Sequence, residues 1–183
     1  MSANPTRALR LPARDLHATP AHVLDPVTRA FIDGLAGSPP IYTLSPDAAR
    51  ALLSGAQKSV EVPLPEVSGE DRVLMVGPEG RTSIRVVRPA GATGTLPVIV
   101  YIHGGGWVIG DKETHDRLVR ELAVGANAVV VFVDYDRSPE RRFPTAIEQS
   151  YAVTVHVAEH AAEFGADAGR LVIAGDSVGG NMA

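Results

Sequence analysis

The sequence predicts an α/β protein with a mostly parallel sheet flanked by helices. Three observations carry that prediction. Short apolar runs rich in β-branched residues recur at Leu96–Ile102, Ala128–Val133 and Leu171–Ala174, the pattern of strands buried on both faces. Segments with helical spacing separate them, as parallel strands require. A glycine-rich turn follows the first run and another follows the last, where such folds place their functional groups.

The elements follow in order. Residues 1–20 are rich in Pro, Arg and Ala. Asp25-Pro26, followed by Val27, Ala30, Phe31 and Leu35, reads as an amphipathic helix with Asp25 as N-cap and Pro26 at the first helical position. Ser45-Pro46-Asp47 repeats the start signal before Ala48 to Leu53. Val60, Val62 and Leu64 alternate with polar residues or proline, a short edge strand at most. Arg72 to Val76 and Thr82 to Arg88 flank Gly77-Pro78-Glu79-Gly80 and read as a hairpin. A helix is expected from Thr114 to Val124, with Leu118, Val119, Leu122 and Ala123 on one face and Gly125 just past its end. A longer one is expected from Pro144 to about Phe164, with Ile147, Tyr151, Val155 and Ala158 inward and Gly165 ending it.

Composition narrows the function. The 183 residues are 45% hydrophobic, enough for one packed domain, and carry a net charge of −4 with no Lys/Arg cluster. Nucleic acid is therefore not the expected partner. The chain has no cysteine, which excludes disulfides and thiolate metal sites. No apolar run has the length to span a bilayer, and the N-terminus has no apolar signal core, so a cytoplasmic protein is expected.

The chemistry lies in two motifs. Gly175-Asp176-Ser177-Val178-Gly179-Gly180 follows the last apolar run. A strand turning through G-x-S-x-G into a helix pushes the serine hydroxyl out above the sheet, which makes Ser177 the candidate nucleophile. His103-Gly104-Gly105-Gly106-Trp107 ends the Leu96–Ile102 run. Such a glycine loop brings backbone N–H groups close to a reacting carbonyl oxygen. A phosphate-binding reading of the Ser177 turn is disfavoured, because no G-K-[ST] follows and no G-x-G-x-x-G stands after the first strand. His103 is read as a prop for the loop rather than as a base, and Asp176 as a local backbone acceptor. Trp107 is read either as lining the alcohol side of the pocket or as a buried loop anchor. His156 and His160 are four apart with no third ligand evident, so a solvated helix face is expected rather than a metal site. Asp134 and Asp136, close to Arg137, Arg141 and Arg142, are read as members of ion pairs.

Together these motifs resemble the hormone-sensitive-lipase-like family of esterases, which have the α/β-hydrolase fold. Tyr135-Asp136-Arg137-Ser138-Pro139-Glu140 is similar to that family's Y-R-L-A-P-E turn, although Asp136 and Ser138 depart from it. Phe143-Pro144-Thr145-Ala146 and the Gly77–Gly80 hairpin with Val86-Val87-Arg88-Pro89 extend the likeness. The resemblance implies residues 1–57 as a helical cap and leader, and 58–183 as part of a catalytic domain. It implies hydrolysis of short-to-medium acyl esters, a small-molecule ester as partner, and no cofactor or metal. Ser177 would attack the carbonyl, and Gly105, Gly106 and Val178 would donate N–H groups to the oxyanion, with Gly104 as the further loop glycine. The family's triad acid and histidine come after the serine, whereas the sequence ends at Ala183. The expectation is that these residues alone lack activity and leave the Leu171–Ala174 strand without an outer partner. The alternatives are a non-catalytic relative that binds small molecules and a decayed fragment with no function of its own.

Overall fold

Five strands form one sheet in the order β1-β2-β4-β3-β5. The structure is a computed structural model and describes residues 24–59 and 61–183. The strands are β1 (Val67–Leu74), β2 (Thr82–Pro89), β3 (Leu96–Ile102), β4 (Val129–Asp134) and β5 (Ala166–Gly175). The helices are α1 (Pro26–Leu35), α2 (Pro46–Lys58), α3 (Asp116–Ala126), α4 (Thr145–Glu159) and α5 (Val178–Met182). β1 and β2 form the antiparallel hairpin, and β2 also runs antiparallel to β4. β3 is parallel to both of its neighbours, β4 and β5.

β4 shows why the sheet is stable. Its apolar residues are fully buried and alternate between two cores. Val129, Val131 and Val133 pack with Val98, Val100 and Ile102 against Val153 and Val157 of α4. Val130 and Phe132 pack with Tyr101 against Val119 and Ala123 of α3. Each such side chain contributes roughly 1.5–3 kcal/mol on burial, and the period of two lets one strand supply both layers.

The helix starts follow the expected caps. Asp25 Oδ1 accepts from the Val27 N–H at 2.8 Å, and Ser45 Oγ from the Ala48 N–H at 3.3 Å. α1 belongs to one compact unit, and residues Ile41–Ala183 form another. α2 lies in the second of these.

Several boundaries differ from expectation. β1 begins at Val67 because Ser68, Gly69, Glu70 and Asp71 pair with β2 despite their polarity; an edge strand can leave such side chains in water. No strand forms over 61–66, and Val60 lies outside the described residues. α3 runs past Gly125 and is ended by Asn127 in the left-handed region (φ 46°), the other residue type that tolerates this cap. α4 turns a different face inward. Gln149, Ser150, Val153 and Val157 are buried, whereas Ile147 and Tyr151 are exposed. Ser150 is accommodated by donating its hydroxyl to Ala146 O at 2.8 Å. Gln149 Oε1 accepts from the Asp136 N–H at 2.8 Å. α4 also stops at Glu159, and a 3₁₀ turn, Ala161–Phe164, leads to Gly165.

Candidate active site

β3 and β5 lie side by side and end at the same edge of the sheet, with Ile102 paired to Gly175. The two motifs therefore meet at neighbouring strand ends. Ser177 sits at φ 50°, ψ −121° between β5 and α5, exposed, and its side chain makes no cap hydrogen bond among the described residues. A non-glycine residue at positive φ costs of order 1–3 kcal/mol and persists where the surroundings dictate it. The surroundings here are tight. A Cβ on Gly179 would lie 2.0 Å from Ile102 O and 2.8 Å from His103 C, so α5 can press its first turn against the end of β3 only through a glycine.

The loop after β3 is held from several sides. Gly105, Gly106 and Trp107 all have positive φ (110°, 61° and 61°). At Gly105 a Cβ would fall 2.1 Å from Ile109 O. The N–H groups of Val108 and Ile109 both donate to Gly105 O, at 3.1 and 2.9 Å. Among the described residues, the N–H groups of Gly105, Gly106 and Val178 find no protein acceptor. Gly104 differs from them. Its N–H donates to Asp176 Oδ1 at 2.9 Å, so it is committed within the protein.

Asp176 is the joint between the motifs. Besides Gly104, its Oδ1 accepts from Tyr101 Oη at 2.8 Å and lies 3.5 Å from His115 Nε2. Burial alone would raise this carboxyl, but the bonds from Tyr101 and Gly104, with His115 nearby, hold it below its ordinary value. The Tyr101 hydroxyl is pushed up, by burial first and by the Asp176 carboxylate second. His115 is the N-cap residue of α3, and its ring lies against those of Tyr101, His103 and Phe132.

His103 is fully buried, stacked on Tyr135 at 4.1 Å and on Phe132 at 5.3 Å. Its Nδ1 lies 2.7 Å from Gly104 O. A carbonyl can only accept, so Nδ1 carries the proton and Nε2 is left as a buried nitrogen without a partner. Burial pushes the imidazole down to about 4, against a smaller raising effect of the Gly104 carbonyl. Tyr135 Oη donates to His103 O at 2.9 Å.

Trp107 is 40% exposed and lines an apolar cavity of about 370 Å³ with Phe143, Pro144, Ile147 and Met182. The arginines beside this turn pair differently from expectation. Arg137 lies 3.6 Å from Asp111 and Arg141 3.4 Å from Glu79, whereas Asp136 Oδ2 accepts from Gln149 Nε2 at 3.0 Å. Burial holds the Asp134 carboxyl above its ordinary value. His156 is not on a solvated face: it stacks on His160 at 4.4 Å and meets the ring of Phe164 edge-on. Among the described residues no group of three His, Cys, Asp or Glu side chains is placed to hold a metal, and no helix is long and apolar enough to cross a membrane.

Residues 99–183 match a family described as alpha/beta hydrolase fold. A thermostable esterase from Pseudomonas putida superimposes with a TM-score of 0.83 at 50% identity, over 87% of this chain and 50% of that one. The chain has the α/β-hydrolase fold. Among curated relatives, carboxylesterase NlhH of Mycobacterium tuberculosis is 43% identical over 163 residues, 87% of this chain and 49% of NlhH. Esterase LipI of the same organism is 38% identical over 178 residues, 94% of this chain and 53% of LipI. The chain thus spans about half the length of the curated relatives it matches.

Proposed function

We propose that this α/β-hydrolase chain provides the nucleophile and the oxyanion-binding loop of a carboxylic ester hydrolase. The observation that carries this reading is the placement of an exposed, positive-φ Ser177 at the strand end next to a loop whose Gly105 and Gly106 amides have no acceptor among the described residues. In this reading Ser177 Oγ attacks the ester carbonyl carbon, and the carbonyl oxygen takes the electron pair as the tetrahedral intermediate forms. The N–H groups of Gly105, Gly106 and Val178 receive that oxyanion; one such donor is typically worth about 10²–10³ in rate. Gly104 is not one of them, because its amide serves Asp176. Collapse of the intermediate expels the alcohol, and water releases the acid from the acyl-enzyme.

The cavity beside Trp107 supports short-to-medium acyl esters as substrates. Its volume of about 370 Å³ and its apolar lining suit a few methylene groups. Among the described residues no histidine bonds the Ser177 hydroxyl, and a serine hydroxyl without a base is a weak nucleophile.

The test is hydrolysis of p-nitrophenyl acetate, butyrate and octanoate by the protein carrying these residues at its native length. Fluorophosphonate labelling with mass mapping accompanies it. Turnover lost in Ser177→Ala, with the label on the Ser177 peptide, is expected. Turnover that survives the substitution overturns the assignment. Tight binding of an acyl ligand with no turnover would instead favour a ligand-binding role.

A further inference from the structure

Arg50 lies on α2, far in sequence from both motifs, and its side chain is only 17% exposed. Its Nε donates to Val108 O at 2.8 Å, and its Nη2 to Ser138 O at 3.0 Å. Its two Nη groups grip both oxygens of Glu140, at 2.9 and 2.7 Å. The Ser138 N–H in turn donates to Trp107 O at 2.8 Å. One guanidinium thus ties three segments together: α2, the loop after β3, and the turn after β4. Its planar fork of donors suits two carbonyls and a carboxylate at once, which an ammonium cannot match.

What it ties down is unusual backbone. Gly105, Gly106 and Trp107 are three successive residues at positive φ. Such a run holds its shape only if neighbouring structure over-determines it. Val108, whose carbonyl Arg50 takes, is the next residue. On the far side of the run, Gly104 is fixed by Asp176. The free amides of Gly105 and Gly106 therefore sit between two anchors, and Arg50 is the anchor supplied from outside the two motifs.

We propose that Arg50 is a positioning residue that holds the Gly105–Trp107 backbone, through Val108 O and the Ser138–Glu140 turn, in the shape that leaves its amides free. The kinetic consequence rests on the hydrolase reading above; the conformational one does not.

Trp107 makes the conformational arm direct, because it is the single tryptophan of the chain. Acrylamide quenching of the 183-residue chain reads the loop alone. In Arg50→Ala the quenching constant should rise about twofold, as a ring now 40% exposed becomes open to solvent, while far-UV circular dichroism stays as in the parent. Arg50→Lys should fall between the two. Glu140→Gln, which leaves both carbonyl bonds in place, should stay near the parent. If Arg50→Ala fails to fold, the Arg50→Lys and Glu140→Gln pair carries the same comparison. Parent-like quenching in a folded Arg50→Ala or Arg50→Lys overturns the proposal.

In the native-length protein, kcat for p-nitrophenyl butyrate should fall about 10- to 100-fold in Arg50→Ala with KM changed far less, since misplacing amides by a fraction of an ångström acts on the transition state. An unchanged kcat where Ser177→Ala is silent also overturns it. If the parent hydrolyses no ester but Arg50→Ala still frees Trp107, the clamp stands and the hydrolase reading falls.

Discussion

Acid should weaken this fold through His103. In the folded chain its imidazole titrates near about 4, against an ordinary 6.5, because protonating Nε2 would bury a charge with no acceptor. Above pH 6.5 the ring is neutral in both folded and unfolded chains and contributes no pH dependence. Between 6.5 and about 4 the unfolded chain binds a proton that the folded chain refuses, so stability falls as pH falls. Below about 4 both states are protonated and the loss is complete. A gap of roughly 2.5 units at about 1.36 kcal/mol each gives about 3 kcal/mol. The assay is urea unfolding at intervals from pH 8 to pH 4, followed by circular dichroism, for the parent and for His103→Gln. Glutamine can still offer an N–H toward Gly104 O but does not titrate. The other titrating groups are common to both chains, so the difference between the two pH profiles isolates His103. The parent should lose about 3 kcal/mol more than His103→Gln across this window, an order-of-magnitude figure from the same relation. Parallel profiles would refute the reasoning and mean that Nε2 finds an acceptor on protonation.

Other perturbations probe the supports of the site. Gly179→Ala places a methyl 2.0 Å from Ile102 O, and the backbone on both sides must give; a loss of about 1–3 kcal/mol or more is expected in thermal melts, and an unchanged Tm would contradict the packing described. Phe132→Ala empties a fully buried site between Tyr101 and His103 and should cost about 3–5 kcal/mol in denaturant titrations. The Asp71 carboxyl is held at about 2, mainly by Arg85 and further by Lys112. Its contribution is present above its ordinary 3.8 and lost as pH falls through about 2; with a side chain 45% exposed, Asp71→Asn should cost under ~1 kcal/mol, and less in 1 M salt. Val172 is 56% exposed on β5, which pairs only with β3 among the described residues. Val172→Lys should therefore reduce concentration-dependent light scattering of the 183-residue chain, and equal scattering would locate self-association elsewhere.

The parts of the fold legible in the sequence are those governed by local rules. β3 and β4 announce themselves as β-branched runs, because strands buried on both faces have nothing but apolar residues to offer; the end of β5 carries the same pattern, but Val172 and Ile173 stand exposed there. Asp25 and Ser45 mark helix starts because a cap bond spans only two or three residues. Ser177 and the His103–Trp107 loop are readable because backbone that must approach so closely restricts the residue types almost to glycine. Where a residue's role depends on a partner far along the chain, the sequence is mute. Gln149 looks like a solvent-facing position until Asp136 N–H and Arg81 O arrive to satisfy its amide. The apolar periodicity of α4 then points to the wrong face, since Ile147 and Tyr151 stand outside while the polar pair Gln149 and Ser150 is buried.

The same distinction separates the three loop glycines. In sequence Gly104, Gly105 and Gly106 are equivalent; in space one amide is taken by a carboxylate from the other motif, and two are left over. Which are free is decided by Asp176, 72 residues away, and the loop shape that keeps them free is braced by Arg50, 58 residues away in the other direction. The shape of such a loop is thus only half specified by its own glycines. They permit the backbone to reach positive φ, but permission is symmetric, and a free glycine run would sample many shapes. Preorganisation has to come from groups that cannot be recognised until the sheet and α2 are in place. A swap of the His103–Trp107 segment into a scaffold lacking the equivalents of Asp176 and Arg50 should therefore carry over the sequence motif without its donor geometry.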